Sequence, residues 1–123
     1  MILTKDTMYN KLTKDDIYNK NYDEILYNFK INSDKKQIFE FICDQKGNMY
    51  RKMKSGYWKE IENKVNHKKG YNVILINKKQ YSRAKLMLYA QNSIKLNDKY
   101  INIYHKNKNK LDCSINNLEI KTY

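Results

Sequence analysis

The three glycines of this chain, Gly47, Gly56 and Gly70, fall where apolar runs stop, and they cut its middle into segments the length of strands. Ile38-Phe39-Glu40-Phe41-Ile42-Cys43 is apolar and aromatic-rich, then meets Asp44-Gln45-Lys46-Gly47, which reads as a hairpin turn. The return from Asn48 to Lys54 alternates Met49, Arg51 and Met53 against Tyr50, Lys52 and Lys54, which predicts one packed and one cationic face. Ser55-Gly56 turns the chain into Tyr57-Trp58-Lys59-Glu60-Ile61, giving a three-stranded meander. Lys68-Lys69-Gly70 then leads into a strand over Tyr71 to Ile76, closed by the turn Asn77-Lys78-Lys79.

One stretch breaks this rhythm. Arg83 to Gln91 lacks Gly, Pro and β-branched residues, so its helix preference is high; Ser82 can cap its start and Asn92 its end. Leu86, Tyr89 and Ala90 define an apolar side, broadened by Met87 and Leu88, so this helix is expected to be largely buried. Residues 1–35 are less patterned. Thr13 ahead of Lys14, Asp15 and Asp16 predicts a short capped helix ending near Asn19 or Asn21. Tyr27 to Ile31 alternates like a strand, and Asn32-Ser33-Asp34 supplies a turn. This end of the chain could serve as an arm or as a partner-binding segment. At 123 residues the expectation is a single α+β domain, with an N-terminal irregular or helical segment (1–35) and a sheet-bearing body (36–123).

The formal charge is +12, almost all from lysine, since Arg51 and Arg83 are the only arginines. Such a surplus attracts phosphate backbones without reading sequence, although a genome rich in A and T would enrich Lys, Asn, Tyr and Ile together and give the same balance. Met1 to Asp6 has no apolar core suited to a signal peptide and no stretch approaches a membrane span, so an intracellular protein with no membrane partner is expected. Cys43 and Cys113 lie far apart with no Cys-x-x-Cys spacing, which suits reduced thiols; a disulfide stays open from sequence alone. Together with His67 and His105 they lack the paired spacing of a zinc site. There is no Gly-rich phosphate loop and no serine nucleophile motif, and His67 reads as a turn residue.

The last quarter carries the most specific pattern: Ile101 and Ile103 alternate toward His105, a polar loop follows, and Asn116-Asn117-Leu118-Glu119 comes after it. Upstream stand Gly70-Tyr71, a strand, the lysine-rich turn, and Tyr81-Ser82-Arg83-Ala84-Lys85-Leu86. From Gly70 to Thr122 the chain resembles the HNH endonucleases of the phage homing type, which implies a C-terminal ββ(α) hairpin. The resemblance makes His105 the general base and Asn117 the residue that orients the histidine loop. It also implies Mg²⁺ as cofactor if the chain is a nuclease.

The departures from that family bear on the metal. Tyr104 holds the position of an acidic or histidine metal ligand, and a neutral phenol is a poor ligand for a hard cation. Ala84 stands where an upstream histidine is usual. The second ligand of the family lies on a helix opened by a Thr or Ser cap; Thr122 holds the cap position, so that ligand is expected beyond the sequence. Asp112, the one acid of the loop, is left as a metal candidate. Lys106, Lys108 and Lys110 suit phosphates and repel cations. Tyr50, Lys52, Lys54, Tyr57 and Lys59 form a second candidate nucleic-acid surface, with sheet packing as the alternative use of the rings.

The expectation is therefore a nucleic-acid-binding, HNH-derived protein of a virus, phage or mobile element, without nuclease activity and with DNA as the favoured partner. An active HNH nicking endonuclease and an inhibitor that binds a host protein are the alternatives.

Overall fold

The computed structural model describes residues 11–33 and 36–122. The readings placed on Met1–Asp6 and Asp34 lie outside the described residues. The architecture is α+β, with short antiparallel sheets and, among the described residues, two helices. Its contacts divide the chain into two compact units, one holding residues 11–44 and 48–62, the other 45–47 and 63–122.

The first unit begins with helix α1 (Lys14–Lys20), set by the expected cap: Thr13 Oγ1 accepts the Asp16 amide and the Asp16 carboxylate accepts the Thr13 amide. That reciprocal pair satisfies two amide donors at the helix start. Strands β1 (Leu26–Asn32), β2 (Ile38–Asp44), β3 (Met49–Lys52) and β4 (Trp58–Ile61) form one antiparallel sheet in chain order. The expected three-stranded meander is therefore extended by the Tyr27–Ile31 segment, which pairs along its whole length with β2, placing Phe29 opposite Phe41. Ile17 of α1 packs with Ile42, Tyr50 and Trp58 on one face, flanked by Leu12 and Leu26. On the other face the Phe29 and Phe41 rings stack with centroids 5.1 Å apart, and the Arg51 guanidinium lies 5.3 Å from the Phe39 ring and 5.6 Å from that of Phe41.

Two faces packed at the start of β3 correct the simple alternation read there. Met49 and Tyr50 are both buried, and lysine exposure begins only at Lys52.

The second unit is built of hairpins around a helix. Strand β5 (Val73–Ile76) pairs with β6 (Lys79–Ser82) through Asn77 and Lys78, whose φ values of 50° and 67° make the tight left-handed turn that matches strand twist. Helix α2 (Arg83–Ala90) follows directly, with Ser82 Oγ accepting the Lys85 amide, and Asn92 turns left-handed (φ 60°) just past its end. Arg83, Ala84, Leu86, Met87 and Leu88 are buried. Strands β7 (Ile101–His105) and β8 (Leu118–Thr122) form the last hairpin, in which His105 pairs with Leu118. Among the described residues no helix is long and apolar enough to cross a membrane.

A polar network fixes this unit internally. The buried Arg83 side chain donates through Nε to the Gly47 carbonyl (2.9 Å) and through Nη1 to Asn72 Oδ1 (3.1 Å), while the Arg83 amide donates to the Asn72 carbonyl (3.0 Å). Asn72 Nδ2 in turn donates to the Lys64 carbonyl (2.8 Å). Gly47 has φ +96°, and a Cβ there would stand 3.1 Å from the Cys113 backbone carbon, so both conformation and space require glycine. Cys43 and Cys113 are buried and not joined in a disulfide, and burial pushes the Cys113 thiol up to about 11.

Candidate functional site

The alternation of lysine and asparagine after His105 has a structural logic. Asn107 Oδ1 accepts the Asn109 amide (2.9 Å) and Asn109 Oδ1 accepts the Leu111 amide (3.1 Å), so each asparagine folds the backbone two residues ahead. Lys106, Lys108 and Lys110 lie between them, exposed, with Lys108 in the left-handed region at φ 63°. Asparagine side chains are used inward and lysine side chains outward.

Asn117 closes this loop from the far side. It ends the short 3₁₀ turn Ile115–Asn117 and is nearly buried. Its Oδ1 accepts the Asn107 amide (3.0 Å), and its Nδ2 donates to Asn107 Oδ1 (3.0 Å) and to the Asp112 carbonyl (2.8 Å). Its own carbonyl accepts the Lys106 amide (2.8 Å), the residue next to His105. Asn117 thus holds the loop that follows the histidine.

Asp112 is committed to the same loop. Its carboxylate accepts the Ser114 hydroxyl (2.6 Å), the Ser114 amide (3.2 Å) and Asn107 Nδ2 (2.7 Å). The Ser114 hydroxyl first, and its amide next, hold the Asp112 carboxyl below the ordinary carboxylate range.

His105 sits at the end of β7 and lines a cleft of about 330 Å³ in this unit. Ile101 and Ile103 share its face of the strand, as a two-residue period requires, and they line the cleft with it. Tyr104 is on the opposite face, exposed, with the Lys121 amine 4.8 Å from its ring centre. Three lysines, Lys69, Lys85 and Lys110, are among the residues that line the cleft, against one acid, Asp98. Lys110 Nζ donates to the Lys69 carbonyl (2.7 Å), which ties the basic loop to the Lys68-Lys69-Gly70 turn. That turn is braced by His67, whose Nδ1 accepts the Lys69 amide (3.1 Å) and whose ring stacks on Tyr71, another lining residue.

Nε2 of His105 is buried and has no hydrogen-bond partner among the described residues. Burial lowers the His105 pKa from its ordinary 6.5; Asp112 opposes that shift and Lys110 adds to it. The lowered pKa favours the neutral imidazole at pH 7, in a side chain that lines a lysine-rich cleft. A buried polar atom left without a partner costs about 1–3 kcal/mol.

The donor set does not fit a hard divalent cation. Of the two acids nearby, Asp112 is bonded within its loop and Asp98 accepts the Tyr100 amide (3.0 Å), while three lysines are among the residues that line the cleft. Among the described residues no three His, Cys, Asp or Glu side chains gather closely enough to hold a metal.

The second predicted surface belongs to the first unit and is not one face. Register places Tyr50 opposite Glu60 and Lys52 opposite Trp58, on the α1 side, whereas Lys59 pairs with Arg51 on the other. Tyr50 is only 2% exposed, so its ring packs the core and is closed to bases; Lys52, Lys54, Tyr57 and Lys59 remain exposed. Sequence reasoning passed over Lys69, Lys85, Tyr71 and Asp98 as site residues. The basic turn around Lys69 was a visible signal, but nothing local tied it to a loop 41 residues away. Ala84, in the slot of the upstream histidine, lines the cleft. Comparisons with family models, characterised proteins and solved structures found no match to the chain.

Proposed function

We propose that this protein binds nucleic acid through the His105 loop and the adjoining basic cleft, and that it does so without metal-dependent cleavage. One observation carries the reading: a loop of three exposed lysines, held in shape by Asn117 and Asp112, opens beside a cleft lined by two further lysines and a neutral histidine. Amines on a pre-shaped loop contact phosphates at low ordering cost, and the same charge disfavours a bound cation. DNA is the favoured partner, in line with the resemblance of this hairpin to HNH enzymes.

A nicking enzyme is the second reading, favoured by the partnerless Nε2 of His105, which is a competent base in its neutral form. Titration of labelled single-stranded and duplex DNA and RNA at 50 and about 200 mM salt, with Mg²⁺ present, separates the two. The binding reading predicts micromolar affinity at low salt, loss of about tenfold or more at high salt, and intact substrate. Cleavage abolished by His105→Ala would establish the enzyme instead.

A further inference from the structure

The cleft differs from the open loop beside it in shape and charge. It is concave, with one strip of apolar side chains (Ile101, Ile103) and a rim of amines, and its volume of about 330 Å³ lies at the small end of ligand sites. A duplex groove or a continuous backbone would lie across the exposed Lys106 and Lys108; a recess of this size takes one nucleotide.

We propose that the cleft is a binding site for a nucleoside phosphate monoester, presented either as the phosphorylated end of a strand or as a free mononucleotide. This rests on the nucleic-acid reading given above and adds the part of the nucleic acid that is recognised. Three lysines against Asp98 leave a formal charge of +2 at the cleft. A phosphate monoester carries about −1.5 to −2 at pH 7, whereas an internal phosphodiester carries −1. The monoester is the closer match, because a diester would leave amines in the recess without a counter-charge.

The amines come from three elements held in place by other groups. Lys69 stands on the turn braced by His67, Lys85 on the first turn of α2, and Lys110 at the end of the asparagine-folded loop. Lys110 spends one of its three N–H donors on the Lys69 carbonyl and keeps two. The first turn of α2 adds its partial positive charge on the same side, since Ser82 and Ala84 also line the cleft. His105 also lines the recess, and its buried Nε2 has no hydrogen-bond partner among the described residues. The sugar or base would lie along Ile101 and Ile103 and against Tyr71.

The test is a competition among oligonucleotides of one sequence bearing a 5′-phosphate, a 3′-phosphate or only hydroxyl ends, with adenosine monophosphate as the free form, monitored by anisotropy. A preference of about tenfold or more for either phosphorylated end, or displacement by the mononucleotide, is expected. The double variant Lys69→Gln, Lys85→Gln should erase that preference, weakening the phosphorylated strands about tenfold more than the hydroxyl-ended strand. Equal affinity for all three oligonucleotides with no displacement would overturn the monoester site and leave the nucleic-acid reading standing. No binding to any strand would overturn both. As a readout independent of the variants, the His105 ring resonances of the wild-type protein should shift on titration with adenosine monophosphate; unshifted resonances would also overturn the site.

Discussion

At the scale of single residues, His105 couples the cleft to pH. Its folded pKa lies below 6.5, burial being the main cause, so the folded protein takes up fewer protons than the unfolded chain as pH falls. The stability linked to His105 is full above pH 6.5 and is lost as pH drops through the lowered value. Denaturation midpoints measured from pH 7.5 to 5 should therefore fall more steeply for the wild type than for His105→Gln. Parallel curves would show that the imidazole is not held neutral. Anion binding should move in the opposite sense over the same range, because protonation adds a positive charge to the recess.

Elements show why these residues stand where they do, and the hairpin of β7 and β8 is the informative case. Replacing Asn117 by Ala removes three side-chain hydrogen bonds from a nearly buried site, and the expected loss is about 2–3 kcal/mol. Thermal unfolding measures it, and the amide of Asn107 should exchange faster than in the wild type. Asn117 was singled out through the HNH resemblance, whose strand, histidine, loop and asparagine follow one another along the chain. Helix α2 was legible for a similar reason, since Ser82, a run of strong helix formers and Asn92 state its start, body and end locally. Strand β6 was not. Lys79-Gln80-Tyr81-Ser82 carries no apolar alternation, and its pairing is imposed by two left-handed residues in the Asn77-Lys78 turn. Tyr50 misled for a different reason: alternation puts it beside Lys52 on one face, but Ile17 of α1 covers only the near end of that strand.

For the whole molecule, charge and fold make separate contributions. The surplus of +12 sets a general attraction to phosphate, and the second unit organises part of it into a shaped loop and a recess. That organisation was hidden in the sequence because Lys69, Lys85 and Lys110 belong to a turn, a helix and a loop whose convergence depends on non-local pairing. The Arg83 network shows the same point, since one arginine joins Gly47, Asn72 and the start of α2 across 36 residues.

The proposed binding of nucleic acid runs through the shaped loop and not through the diffuse charge. It is tested most directly by the salt dependence of duplex DNA affinity for the wild type and for the triple variant Lys106→Ser, Lys108→Ser, Lys110→Ser. If each lysine meets one phosphate, the log–log slope should shrink by about 2 to 3 units in the variant. An unchanged slope would contradict the account and place the interface elsewhere, with Lys52, Lys54 and Lys59 of the first unit the next residues to replace.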